Sequence, residues 1–183
     1  MTLGDLDHAK DFMTHYFPNE ILQSIDLTTI TTQKNSFIEP HLTESFSNLV
    51  FKVKINRMDG YLYFLFEHKS YSDGWVALQL LKYMLKIWDQ KVHQEKYKKL
   101  PIIIPFVFFH QLSSWTMGRK LSDKIKHDDQ IPKSIIAYIP NFKYVLLDVS
   151  RYKDEELKGN LILQMYLKLM RAIQSQPEKP FKH

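Results

Sequence analysis

Two adjacent β-strand patterns constrain the fold of this chain more than any other feature of its sequence. Residues 48–56 read N-L-V-F-K-V-K-I-N, in which apolar side chains alternate with lysines. Such alternation is typical of a strand with one face in the core. Residues 61–69 read Y-L-Y-F-L-F-E-H-K and are apolar on both faces until the end, as expected of a strand inside a sheet. Asp59-Gly60 predicts the turn of an antiparallel hairpin that joins them.

The remaining segments predict helices on both sides of that sheet. The predicted helices cover residues 6–17, 19–25, 74–96 and 154–173, and the predicted strands cover residues 28–33 at an edge, 101–109 and 144–149. This order indicates an α/β fold with a mixed central β-sheet flanked by helices. We expect residues 1–173 to form a single domain and the polar tail, residues 174–183, to be disordered.

Side-chain spacing also predicts how these elements pack. The apolar stripe of the long helix is predicted from Ala77, Leu81, Met84, Trp88 and Val92, and that of the closing helix from Leu157, Leu161, Met165, Leu169 and Ile173. A proline within the strand at 101–109, Pro105, predicts a bulge or an edge position there. Trp88 is expected in the core, whereas Trp115 follows a polar loop and is expected to be exposed.

The composition restricts the chemistry that this chain can perform. The 183 residues include no cysteine, which excludes thiolate metal sites and cysteine nucleophiles, and the five glycines form no glycine-rich phosphate loop. The formal net charge of +5 is compatible with a polyanionic partner. The N-terminus has no signal-peptide pattern and the apolar run at 100–109 is too short to span a bilayer. We therefore expect a cytoplasmic protein without a membrane partner.

One group of residues has the spacing needed for metal-assisted phosphodiester hydrolysis. Glu67 and Lys69 stand at i and i+2, so they share a face at the polar end of a buried strand. The Glu67 carboxylate and the His68 main-chain carbonyl are suitable Mg²⁺ ligands, and Lys69 is a candidate to orient the attacking water. The alternative is a salt bridge where the strand emerges into solvent.

Two neighbouring features extend this group. The hairpin brings Asn48, at the start of one strand, towards the end of the other. Gln79 and Tyr83, at i and i+4 on the following helix, are candidates to contact DNA. The alternative for this pair is the flank of an ordinary amphipathic helix.

Several blocks in this order resemble the recombination-promoting nuclease and transposase-like family, the YhgA-like branch of the PD-(D/E)XK superfamily. The blocks are L-T-E-S-F-S-N-L-V-F-K-V, Y-L-Y-F-L-F-E-H-K-S, L-P-I-I-I-P-F-V-F-F-H and L-L-D-V-S-R-Y-K-D-E-E-L. The resemblance extends from about residue 11 to residue 173. It implies a restriction-endonuclease-like core and a DNA endonuclease that promotes recombination with Mg²⁺, or Mn²⁺, as cofactor.

The resemblance also implies roles for individual residues. Position 48 and Glu67 would hold the metal, but this chain has Asn48 where the family has Asp, and an amide brings no charge to the ion. Glu44, upstream, is a candidate to compensate. Lys69 stands where the family usually has Gln, and Gln79 where it often has Arg. With Tyr83, Gln79 resembles the DNA-contacting helix motif of RecB-like nucleases.

Two functions therefore stay open from the sequence. The first is a metal-dependent DNA endonuclease, impaired to some extent by Asn48. The second is a catalytically inactive module that binds DNA or pairs with a longer family member. A homodimer is compatible with either function. Basic runs at 91–99, 119–126 and 179–182 are candidates for phosphate contacts, with solvated surface as the simpler interpretation.

Overall fold

A five-stranded mixed sheet lies at the centre of the protein. The computed structural model describes residues 3–33, 49–67, 74–110, 115–126 and 131–174. The strands are β1 (Ile25–Gln33), β2 (Leu49–Ile55), β3 (Met58–Glu67), β4 (Ile102–Phe109) and β5 (Val145–Asp148), and they are hydrogen-bonded in that order. The β1–β2 and β2–β3 pairs are antiparallel, whereas the β3–β4 and β4–β5 pairs are parallel. The α/β class with a mixed sheet is confirmed.

The β2–β3 hairpin is present, but its turn differs from the prediction. The two turn residues are Asn56 and Arg57, with positive φ angles of 46° and 69°, as in a type I′ turn. Asp59 and Gly60 instead pair with Lys54 and Val53 inside the hairpin. A Cβ on Gly60 would lie 2.4 Å from the Ile55 side chain and 3.3 Å from the Ile102 carbonyl oxygen. Gly60 is therefore required by close packing inside the sheet, and the prediction of an Asp59-Gly60 turn was wrong.

Helix α3 (Val76–His93) connects β3 to the parallel strand β4. β3 and β4 pair without interruption from Gly60↔Ile102 to Glu67↔Phe109, so the bulge predicted at Pro105 is absent. β5 pairs with β4 only from Phe106 onwards, which leaves Pro105 without a neighbour on that side. The edge alternative therefore applies locally, at a position where the missing N–H of proline costs no ladder hydrogen bond.

Alternate residues of the central strands face two separate apolar layers. On one face, Leu62, Phe64, Phe106 and Phe108 pack against α1 (Leu6–Tyr16) and α5 (Leu161–Gln174). Phe12, Tyr16 and Phe17, in and just after α1, are buried in this layer. On the other face, Tyr61, Tyr63, Leu65, Val107 and Phe109 pack against α3. The sheet is therefore covered on both faces, as the sequence predicted.

Helix α3 is rotated relative to the predicted stripe. Ala77 and Met84 are buried as predicted, but Leu81 and Trp88 are only half-buried, and Leu80, Tyr83 and Ile87 take the central positions. Trp88 donates its indole N–H to the Pro101 carbonyl oxygen at 2.9 Å. Lys91 is also buried, contrary to the solvated surface expected for the run at 91–99. Trp88 therefore lies at the edge of the apolar layer between α3 and the sheet.

Helix α5 begins later than predicted and turns another face to the core. Leu163 and Leu167 are buried, whereas the predicted stripe residues Leu161, Met165 and Leu169 are exposed. The reason lies at the N-terminus of the helix: Asp11 accepts the Asn160 backbone N–H at 2.9 Å, and the Asn160 side chain caps Leu163 N–H at 2.9 Å. These bonds fix the rotation of α5. Residues 154–156, predicted as helix α5, form a separate 3-10 turn.

The shorter elements complete the comparison with the sequence. β1 is an edge strand as predicted but starts at Ile25, because α2 (Asn19–Leu22) ends three residues earlier. α4 (Lys133–Ile136) was not predicted. The tail at 175–183 lies outside the described residues. Within the part of the chain that the structure describes, no helix is long and apolar enough to cross a membrane.

Candidate active site

The carboxyl ends of three parallel strands meet at one edge of the sheet. Glu67, the last residue of β3, is aligned with Phe109 of β4, which is aligned in turn with Asp148, the last residue of β5. Ligands of open α/β sheets bind outside the carboxyl ends of the parallel strands. The strand order therefore places Glu67, His110 and Asp148 at the edge where a ligand is expected.

The start of β2 reaches the same edge because β2 is antiparallel to β3. Leu49, the first residue of β2, pairs with Phe64, three residues before Glu67. Paired residues of antiparallel strands are about 4.5–5.5 Å apart between their Cα atoms. The described part of β2 thus begins close to the end of β3, and the position of Asn48 stays a prediction.

Most of the proposed metal ligands fall outside the described part of the structure. Glu44, Asn48, His68 and Lys69 lie in segments beyond the described residues, and of Glu67 only the backbone is described. Among the described residues, no group of three His, Asp or Glu side chains is arranged to hold a metal ion. The proposed donors are carboxylate, amide and main-chain oxygens, which fit the preference of Mg²⁺ for oxygen ligands. Their roles remain predictions.

Gln79 and Tyr83 occupy different environments on α3. Gln79 is half-buried in the first turns of the helix, whereas Tyr83 is only 7% exposed. The ring centroid of Tyr83 lies 5.3 Å from that of Tyr63 on β3. Burial raises the pKa of Tyr63 well above its usual value, so Tyr63 is neutral, and both rings belong to the core. A DNA contact by either predicted residue remains a prediction, and Tyr83 has a packing role besides.

Two polar residues at this edge were not singled out from the sequence. His110 directly follows β4 and is 3% exposed, with its ring centroid 5.8 Å from that of Phe108. Asp148 ends β5 and is buried. Each is the first polar residue after an apolar strand, the signal that also identified Glu67.

Asp148 is already engaged in structural interactions. One carboxylate oxygen accepts the Ser150 hydroxyl at 2.5 Å and the Ser150 N–H at 3.2 Å, and the other pairs with Arg151 Nε at 2.9 Å. These contacts shape the 3-10 turn Val149–Arg151 that follows the strand. We interpret Asp148 as a residue that fixes the rim of the site.

A basic segment borders this region and is anchored by aromatic residues. Trp115, expected to be exposed, is 6% exposed and packs edge-on against Phe109 at 5.0 Å. The prediction was wrong because Trp115 packs in the apolar layer on the α3 face of the sheet. Tyr144 donates its hydroxyl to the Gly118 carbonyl oxygen at 2.7 Å, and burial raises its pKa to about 12. These contacts hold the basic residues at 119–126 in place.

The fold and the position of these residues define an α/β protein with a candidate site at the carboxyl ends of its parallel strands. Comparison with known sequences narrows this class. Residues 1–181 match the family described as "Putative transposase, YhgA-like". The chain belongs to this family, and the resemblance found in the sequence is confirmed.

Several similar curated proteins are named recombination-promoting nucleases of Escherichia coli. The chain is 31% identical to recombination-promoting nuclease RpnD of strain O157:H7 over 154 residues, 82% of this chain and 56% of that protein. It is 32% identical to RpnA of strain K12 over 108 residues, 59% of this chain and 37% of that protein.

A third relative, in strain K12, is named an inactive recombination-promoting nuclease-like protein, RpnE. It is 26% identical over 151 residues, 81% of this chain and 48% of that protein. The chain thus spans about half the length of the curated relatives it matches. No solved structure matches it. The relatives therefore support membership of a nuclease family. Some relatives are named nucleases and others are named inactive.

Proposed function

We propose that this protein is a metal-dependent DNA endonuclease that promotes recombination, with its site at the carboxyl end of β3. The observation that carries the proposal is the convergence of the β2 start and the β3, β4 and β5 ends at one sheet edge. Membership of a family with relatives named recombination-promoting nucleases supports it. The α/β fold alone would not, because many functions share such folds.

In this proposal, the residues near the end of β3 have two roles, metal binding and activation of the attacking water. Glu67, Asn48 and the His68 carbonyl hold Mg²⁺ or Mn²⁺, with Glu44 as a further candidate ligand. Lys69 orients the attacking water and stabilises the charge that develops on the phosphate. The bound ion would supply Lewis-acid polarisation of the phosphoryl oxygens.

The helix and the core beneath it position the substrate. Gln79, half-buried on α3, is the proposed DNA contact, and Tyr83 supports that face of the helix through its packing on Tyr63. The sheet edge provides a rigid base, since the strands that end there have buried side chains on both faces. A rigid base is what holds reacting groups in a productive geometry.

Asn48 supports a second function, a module that binds DNA or a partner without cleaving. The amide lowers the negative charge available to a divalent cation, and relatives named inactive exist in the same family. Such a module would act as a homodimer or with a longer family member. It would bind DNA in a manner insensitive to Glu67→Ala.

Plasmid nicking with Mg²⁺ or Mn²⁺ separates the two functions. The endonuclease predicts nicking by the protein that is lost on adding EDTA and reduced at least a hundredfold in Glu67→Ala. Glu67→Gln, which keeps the size of the side chain, serves as the matched variant and should fail equally. DNA binding without nicking, in both the protein and Asn48→Asp, would reject the endonuclease and favour the binding module.

A further inference from the structure

The segment around Arg119 forms a short antiparallel ladder with the chain that leads into β5. Tyr144 donates its N–H to the Arg119 carbonyl at 3.1 Å, and Leu121 donates to the Phe142 carbonyl at 3.1 Å. These two bonds flank the bridge between Lys120 and Lys143. The pattern is that of a pair without direct hydrogen bonds, in which facing side chains are closest.

Two lysines facing each other in this way are unfavourable for folding. Like charges directly opposite on neighbouring strands are destabilising. Arg119, Lys120 and Lys143, which we name the basic edge, are all exposed, and none forms an ion pair within the described residues. The Asp123 carboxylate accepts the backbone N–H of Lys120 at 3.0 Å. Three cations thus share one edge where the fold itself gains little from them.

The segments that carry the basic edge are held by hydrogen bonds, and the basic edge lies within reach of the candidate active site. The Ser122 N–H donates a hydrogen bond to the Asn141 side-chain oxygen at 3.1 Å, and the Tyr144 hydroxyl donates one to the Gly118 carbonyl oxygen. Lys143 precedes the end of β5 by five residues, roughly 16 Å of strand. The helical turn Leu121–Lys124 brings Lys124 Nζ to 3.5 Å from the position that a Cβ on Gly74 would take, beside the start of α3.

We infer that the basic edge binds the phosphate backbone of duplex DNA while the sheet edge acts on it. Two adjacent lysines and an arginine on a fixed ladder present the uncompensated positive charge that backbone recognition requires. Such contacts position DNA and carry no sequence information. The inference rests on the proposed function for its choice of polyanion, but binding by the basic edge does not require cleavage.

The test measures DNA affinity without metal, so that loss of cleavage cannot affect the result. Binding of a labelled 30-base-pair duplex is followed in EDTA while the salt concentration is raised. Each phosphate contact contributes about 0.9 to the slope of log affinity against log salt. We expect the Lys120→Gln/Lys143→Gln double variant to lower that slope by about two and to weaken binding at least tenfold at 0.1 M salt.

A matched control distinguishes a local contact from a general loss of charge. Lys133 and Lys158 are exposed, lie outside the three basic runs and form no ion pair among the described residues. Lys133→Gln/Lys158→Gln should leave the slope within about 0.5 of the parent, and Lys120→Arg/Lys143→Arg should retain it. Equal slopes for the basic-edge and control doubles, or tighter binding of the parent to phosphatidylglycerol vesicles than to DNA, would overturn the inference. Plasmid nicking, measured separately, decides the proposed function.

Discussion

Two lysine-bearing regions of this protein use their charges in opposite ways. At the hairpin end of the sheet, Asp59 lies between two lysines, 2.9 Å from Lys52 Nζ and 2.6 Å from Lys54 Nζ. Nearby, the buried ammonium of Lys91 contacts Glu95 at 2.5 Å and lies 4.8 Å from the Tyr61 ring centroid. At the basic edge, by contrast, Lys120 faces Lys143, and neither side-chain ammonium forms an ion pair among the described residues.

The difference separates charges that serve the fold from charges available to a ligand. A cation without access to water requires a partner, which Lys91 finds in Glu95 and in the Tyr61 ring. An exposed cation is solvated and needs no acidic partner for stability, so its positive charge is available to attract an anion from solution. We therefore expect variants of the hairpin end to change unfolding and variants of the basic edge to change DNA binding.

The largest change in stability is expected at Lys91. Its side chain is 2% exposed, so Lys91→Ala removes a long buried hydrocarbon stem and should lower the free energy of unfolding by about 2–4 kcal/mol. Lys91→Met keeps most of the volume without the charge and should cost less than about 1.5 kcal/mol. Urea denaturation measures both changes.

Either of two results would break the comparison at this position. Equal destabilisation by Lys91→Met and Lys91→Ala would mean that the charge, and not the packing of its stem, stabilises the region. A change in the salt slope of DNA binding in folded Lys91→Met would mean that the hairpin end also contacts DNA.

A smaller effect of opposite sign is expected at the hairpin turn. Arg57 adopts a φ of 69°, a conformation that costs a residue with a Cβ roughly 1 kcal/mol. Type I′ turns favour Asn-Gly, so Arg57→Gly should raise the free energy of unfolding by about 0.5–1 kcal/mol. Thermal unfolding checks this, with Arg57→Ala as the control that removes the side chain but keeps the strain. Stabilisation by both variants alike would point to the charge of Arg57 rather than its backbone.

An effect of similar size, but dependent on pH, is expected at Asp59. Hydrogen bonds from Lys54 and Lys52 hold the pKa of its carboxyl below the usual range. Its contribution to stability is therefore complete above the unfolded pKa of about 3.9 and is lost as the pH falls through the lower folded value. Solvent screens this exposed pair, so Asp59→Asn should cost about 0.5–1 kcal/mol at pH 6 and almost nothing at pH 2. A constant difference across that range would contradict the ion pair.

The sequence predicted the layers of the fold better than the rotation of its helices. Period-two alternation in β2 and the doubly apolar β3 follow directly from their positions in the sheet. The rotation of α5 depends on Asp11, which is 149 residues from its hydrogen-bond partner Asn160. No local periodicity contains that information. The hairpin turn was misplaced because Gly60 is needed for packing and not for a turn. A Cβ at this position would crowd the Ile55 side chain and the Ile102 carbonyl oxygen, and these contacts exist only in the assembled sheet.

The part of the candidate site that could be predicted from the sequence is the part that lies at the ends of apolar strands. A polar residue after an apolar strand identified Glu67, and the same rule, applied to β4 and β5, would have indicated His110 and Asp148. The basic edge could not be found in this way, because Lys120 and Lys143 are neighbours only through the ladder that follows the fold. The roles of Asn48, Lys69 and Gln79 remain predictions from their spacing and from the family resemblance.

The most direct test of the central claim is the metal dependence of nicking by the protein and by Asn48→Asp. If position 48 and Glu67 hold the ion, a carboxylate at 48 adds a unit charge near a divalent cation. The Mg²⁺ concentration for half-maximal nicking should then fall roughly ten- to a hundredfold in Asn48→Asp. Identical Mg²⁺ curves for the two proteins, or nicking that persists in Asn48→Asp/Glu67→Ala, would contradict a metal site at this edge of the sheet.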